Sequence, residues 1–141
     1  LRGVRLKALV WIMRPGTGGR PEVLLLERPR RRGGGEHPVT GKADPGEKPL
    51  ACAVREVHEE TGLRGELHEL GLVHRYRGAK GQFEEHAFLM RVAKRAEPEI
   101  SSEHVAFRWA TADEARGALH WKTHRETLDA ALALWAAHSR T

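Results

Sequence analysis

The sequence predicts an α/β fold, a mixed β-sheet carrying helices on its faces, over a single domain spanning residues 1–141. Three observations predict it. Short apolar runs are set apart by glycine and proline turns, as strands are. One proline-opened helical segment interrupts them near residue 50. Two capping-box patterns close the chain, and strands interleaved with helices pack most economically as a sheet covered on its faces.

Leu6–Met13 is an apolar run suited to a buried strand, and Val23–Glu27 is a second. Pro15-Gly16-Thr17-Gly18-Gly19 turns between them, so the two read as a hairpin-like pair. Arg28–Gly35 is a loop of arginines, proline and glycines, and His37–Gly41 leads into the central segment. There, Asp44-Pro45-Gly46 is a turn, Pro49 opens a helix without needing an N–H, and Gly62 ends it. Lys48 stands where a capping serine or threonine would serve better. Leu67–Tyr76 reads as a strand bent at Gly71, Gly78–Gly81 as a turn, and Glu84–Val92 as a central strand. After a loop over 98–104 comes a strand at Val105–Ala110, with Val105, Phe107 and Trp109 on one face. Thr111-Ala112-Asp113-Glu114 starts a helix that Gly117 is expected to stop. Thr123-His124-Arg125-Glu126 starts the last helix, to about His138, with Leu128, Ala131, Leu132 and Trp135 facing the core.

On the central helix, Glu56, Glu59 and Glu60 fall at i, i+3 and i+4 and share a face. Leu50, Ala53, Val54 and Val57 form a neighbouring apolar stripe that can pack on a core, while His58 points away from both. Three like charges on one face repel unless something positive lies between them. A hard divalent cation such as magnesium fits, because it takes carboxylate oxygens and keeps water and substrate phosphates as its other ligands. The same acidic run also suits a solvated helix face.

The composition bounds the partners. With 40% hydrophobic and 30% charged residues, the chain suits a soluble globular protein, and no apolar run is long enough to span a membrane. Cys52 is the one cysteine, which excludes an internal disulfide, fits a reducing cytoplasm, and reads as a small buried residue. A net charge of +5 favours an anionic ligand. No nucleic-acid-binding motif is present; the charge serves a polyphosphate small molecule as well as nucleic acid, and the arginine loop reads either as a surface that steers such an anion or as a solvated loop.

Gly41, then Glu47, then Arg55-Glu56-Val57-His58-Glu59-Glu60-Thr61-Gly62-Leu63 resembles the signature of the Nudix hydrolases at every defining position. Seven fixed identities at about 7% usage each coincide by chance on the order of once in 10⁸ starts, so the match is specific. The resemblance implies an α/β/α sandwich around a mixed β-sheet and water attack on a phosphorus atom of a nucleoside diphosphate linked to another group. It implies Mg2+, or Mn2+, held by Glu56, Glu59 and Glu60 beside the Gly41 carbonyl. Arg55 would hold a glutamate in position, with Glu47 supporting. Glu103, in a loop just before a strand, is the candidate carboxylate outside the box, as metal ligand or base. His86 and His104 are alternatives for proton transfer, and Glu84 and Glu85 are weaker metal-ligand candidates.

Val39-Thr40-Gly41 and the run from Glu103 to Leu132 are similar to members that hydrolyse dihydroneopterin triphosphate or dATP to a monophosphate and pyrophosphate. The aromatic residues those members carry before Val-Thr-Gly are replaced here by Gly35-Glu36-His37. A nucleoside triphosphate-like substrate is therefore expected, with Arg28 on its phosphates and Tyr76, Phe83 or Trp121 against its ring. The alternatives are a dinucleoside polyphosphate of the Ap4A type, or a nucleotide-binding module without turnover. The second is disfavoured by the intact glutamates.

Overall fold

The computed structural model describes residues 3–138, with seven strands and three α-helices in the order β1 (Val4–Pro15), β2 (Pro21–Glu27), β3 (Glu36–His37), β4 (Val39–Lys42), α1 (Pro49–Thr61), β5 (Glu66–Gly78), β6 (Gly81–Arg91), β7 (Ala106–Ala110), α2 (Ala112–Ala118) and α3 (Lys122–His138). One mixed sheet runs β3-β2-β1-β6-β5, with β4 on β1 and β7 on β2. The β1–β6 pair is parallel and the other pairs are antiparallel. β1 divides its partners: Met13–Pro15 pair with β2, whereas Lys7–Val10 pair with β4.

Alternation along β1 builds two cores. Ala8, Val10 and Ile12 face α1 and pack with Cys52, Ala53 and Val57. Leu9, Trp11 and Met13 face the other way and pack with Ala115 of α2 and Leu128, Ala131 and Trp135 of α3. Side chains two apart on a strand share a face, so this pattern is the pleat itself. The Trp11 indole N–H donates to Thr127 Oγ1 at 2.8 Å, which satisfies the buried ring's polar atom and ties α3 to the sheet.

The expected strands and helices form, with an α/β/α arrangement around a mixed sheet as expected. Gly71 adopts φ +73°, and the β5–β6 register shifts between Glu69 and Val73, so it does mark an irregularity. Lys48 caps α1 without a side-chain hydrogen bond, and Gly62 closes it with φ +70°. The capping box at Thr111 forms in both directions.

Four expectations change. Leu50 and Val54 are exposed; α1 buries Cys52, Ala53, Val57, Glu60 and Thr61 instead. The buried face is thus rotated toward the glutamates, which draws Glu60 inward. β7 begins at Ala106, and Val105 and Phe107 are exposed, because β7 pairs only with β2 and lies outside the helix-covered centre. Gly117 does not stop α2, which runs to Ala118. α3 begins at Lys122, so Thr123 is inside it and its carbonyl accepts from Thr127 Oγ1. The short strands β3 and β4 were read from the sequence only as connecting chain.

Candidate active site

The C-terminal half of α1 meets two loops at the site. Thr61 Oγ1 donates to the Val57 carbonyl and accepts from Leu63 N–H, which finishes the helix at its last turn. The loop over 98–104 then binds the helix's free carbonyls: Glu99 N–H donates to Thr61 O at 2.8 Å and Ser101 N–H to Glu60 O at 3.1 Å. Those two bonds bring Glu103 and His104 to Glu60. One ligand atom from each of the three lies within 4.8 Å of the others.

Arg55 organises the opposite side. Its Nε and Nη2 grip both oxygens of Glu47 at 2.9 and 2.8 Å, a bidentate pair. Nη1 donates to Glu56 at 2.8 Å and to Glu59 at 3.1 Å, and Nη2 also reaches the Lys42 carbonyl at 2.9 Å. The Arg55 hydrogen bond holds the Glu47 carboxyl down at about 2. Three glutamates are therefore fixed by one planar guanidinium, a task the point charge of a lysine could not perform. Gly41 presents bare backbone to this group, because a Cβ there would overlap the Glu56 carboxyl group and its stem. Cys52 is fully buried with Sγ 3.7 Å from the Gly41 carbonyl, and burial pushes its thiol up to about 11, so it is an inert packing residue.

Glu60 is 4% exposed. Burial, then the neighbouring Glu56 carboxylate, pushes it up to about 9, and Glu56 is itself raised by burial. The pair is short of positive charge, and a hard divalent cation is the species that two adjacent carboxylates and a third from Glu103 fit. The prediction is a pH-dependent stability. Between the ordinary carboxylate range and about 9, the folded metal-free chain holds a proton that the unfolded chain has released. Its melting temperature should therefore fall as pH rises through that window. Added Mg2+ should raise the melting temperature more at pH 8.5 than at pH 5.5, because the ligands must lose protons to bind it. Differential scanning calorimetry checks this; a melting temperature that rises across the window without metal contradicts it.

His104 packs against His37 with the rings tilted by 39° and their centroids 4.9 Å apart, and their Nε2 atoms lie 3.1 Å apart. Burial holds His37 near 3 and lowers His104, so both rings are neutral. His37 Nδ1 bonds to the Pro38 carbonyl, which leaves its Nε2 to accept from His104. His86, the other proton-transfer candidate, lies 3.5 Å from Glu84 and is absent from the walls of the acidic cavity.

Three adjoining hollows share Arg28. The acidic cavity, about 170 Å³, is lined by Arg28, Arg32, His37, Glu60, Glu103 and His104, with Thr40 at its edge. A cleft of about 420 Å³ also contains Arg28 and Thr40, together with Lys7, Tyr76, Glu85, Trp121 and His124. A third, about 490 Å³, joins Arg28 and Arg32 to Gly33–Gly35, Trp121 and His124. Arg28, Tyr76 and Trp121, chosen separately from the sequence, thus meet in one cleft. Tyr76 is already engaged with Phe83 at 5.2 Å and His74 at 5.1 Å, whereas Trp121 is 61% exposed. Sequence reading missed His37, Thr40, Lys7 and His124. Each is ordinary by spacing and meets the site through the registers of β1 with β4 and of β2 with β3 and the placement of α3.

A family model described as NUDIX domain matches residues 4–131. The chain is 36% identical over 124 residues to an octanoyltransferase of Myxococcus xanthus, covering 84% of this chain and 34% of that protein. It thus spans about a third of the length of this curated relative. Among solved structures, a C. elegans Ap4A hydrolase binary complex superposes with TM-score 0.81 at 22% identity, over 94% of this chain and 98% of that one. The E. coli dihydroneopterin triphosphate pyrophosphohydrolase superposes with TM-score 0.73 at 21% identity, over 88% of this chain and 92% of that one. A family match that runs from the first residue of β1 into α3 places the chain in the NUDIX domain family.

Proposed function

We propose that the chain hydrolyses a nucleoside triphosphate-like compound to its monophosphate and pyrophosphate in the cytoplasm. Mg2+, with Mn2+ as the substitute, would be held by Glu56, Glu59, Glu60, Glu103 and the Gly41 carbonyl. The observation that carries this reading is the line of hollows. The 420 Å³ cleft and the acidic cavity share Arg28 and Thr40 in their walls, so a ring in one and its polyphosphate in the other would meet the same arginine.

A bound divalent cation supplies charge neutralisation on phosphate oxygens and a water of lowered pKa. Arg28 and Arg32 attract and orient the phosphates. Arg55 holds Glu56 and Glu59 in place through the bonds described above. Glu103, exposed on its loop beside the buried Glu60, accepts the proton of the attacking water as its oxygen bonds to phosphorus and the bridging P–O bond breaks. The intact glutamates argue against a binding module without turnover.

Product analysis with Mg2+ against dNTPs, NTPs, dihydroneopterin triphosphate, diadenosine polyphosphates and ADP-ribose tests the reading. Pyrophosphate plus a monophosphate from a triphosphate is the expected result. ATP or ADP released from a diadenosine polyphosphate would overturn it in favour of an Ap4A-type hydrolase, and metal-dependent binding without product in favour of a sensing module. Glu103→Gln should lower kcat by about 10²–10⁴-fold, the usual contribution of general acid–base catalysis. An unchanged kcat would remove Glu103 from the mechanism.

A further inference from the structure

The cleft holds a buried carboxylate that the reaction above leaves unused. Along β6, Ala87 and Leu89 pack beneath the helices, and Glu85 follows on the same face where that cover ends. Its register partners are Lys7 on β1 and His74 on β5. Glu85 is 8% exposed, and it lines the 420 Å³ cleft with Trp121 and Lys7. Its charge partner, Lys7 Nζ, lies 3.7 Å from Oε2, beyond hydrogen-bond distance. Lys7 donates instead to the Tyr76 hydroxyl at 3.1 Å. Among the described residues no hydrogen bond is donated to the Glu85 carboxylate, whose nearest cation is Lys7. The carboxylate thus keeps acceptor capacity facing the cleft, which a ligand bringing N–H groups can take up.

We propose that Glu85 sets ring specificity, its two oxygens accepting a ring N–H and an adjacent exocyclic amino group while Lys7 faces the neighbouring ring carbonyl. This rests on the cleft being the ring-binding part of the triphosphate site proposed above. The order carbonyl, N–H, amino is the edge shared by guanine and the pterins. Adenine would turn a lone pair toward the carboxylate, cytosine likewise, and uracil and thymine offer one N–H flanked by carbonyls. Trp121, with its exposed indole, is the surface on which the ring stacks.

The test is fluorescence or calorimetric titration of the protein with GMP, AMP and dihydroneopterin monophosphate, which are not triphosphates and need no turnover. It is paired with kcat/KM for the corresponding triphosphates. The wild-type chain should bind the guanine or pterin arm at least about tenfold more tightly than AMP, the discrimination of one good bidentate contact. Glu85→Gln, which keeps the shape and replaces one acceptor with a donor, should bring the ratio to within about threefold. Tighter binding of GMP alone names a nucleotide source, and of the pterin alone a pterin source. Lys7→Met supplies an independent reading if the Glu85 variant fails to fold, and should also narrow the ratio. Equal binding of all three by the wild-type chain, or a ratio unchanged in the folded variants, overturns the proposal. If the binding preference holds and no triphosphate is cleaved, the triphosphate reading fails while the role of Glu85 stands. Cleavage of triphosphates without preference fails Glu85 alone.

Discussion

Glu60→Gln should lower kcat by at least about 10³-fold while leaving the metal-free protein at least as stable as the wild type. The loss follows if a metal contributes several kcal/mol to transition-state charge stabilisation, since each 1.36 kcal/mol is tenfold in rate. The gain in stability above neutral pH follows from the burial that pushes Glu60 up to about 9 beside Glu56. A neutral amide of the same shape removes the charge that the folded chain resists holding there. Turnover measured beside thermal melts separates the two effects. A variant that melts like the wild type and keeps near-normal turnover would refute the assignment of Glu60 to the metal.

The second large effect belongs to a residue with no side chain. Gly41→Ala should lower turnover by about 10²-fold, the scale of a misplacement of about 1 Å in a reacting group. It should also destabilise the fold by about 1–3 kcal/mol, as overpacking does. Gly41 does not need glycine for its φ. It needs glycine because the Glu56 carboxyl group fills the space a methyl would take. The stability loss should therefore disappear in a Glu56→Ala background, a coupling that a double-mutant cycle measures by chemical denaturation. If the two changes simply add, the contact between Gly41 and Glu56 does not explain the glycine.

The strands, the central helix and its glutamates were legible because their information is local. Pro49 and Gly62 bound α1, and the fixed spacing from Gly41 to Gly62 carries the family signature. The buried face of α1 was less legible. Leu50 and Val54 are more apolar than Glu60 and Thr61, yet the latter are buried, because the loop over 98–104 and the neighbouring strands cover that side. The same holds for Thr123, whose capping pattern is genuine as sequence but lies one residue inside a helix tied to the sheet through Trp11 and Thr127. The cleft was half legible. Arg28, Tyr76 and Trp121 stood out by type, whereas Lys7 carried no expectation and Glu85 only a weaker one as a metal ligand, until strand register set them side by side.

The alternation along β1 places Ala8 under the helix of glutamates and Lys7 in the ring-sized cleft, on opposite sides of one strand. On the proposed function, cutting and reading would occupy separate surfaces of the same sheet, with Thr40 and Arg28 in the walls of both hollows. If Glu85 reads the ring as proposed, substitutions at positions 7, 74, 85 and 121 would change which ring is accepted while leaving the glutamate helix, on the other face of β1, unaltered. A laboratory seeking new specificities can sample those four sites together, with the folding of the glutamate helix as a constant.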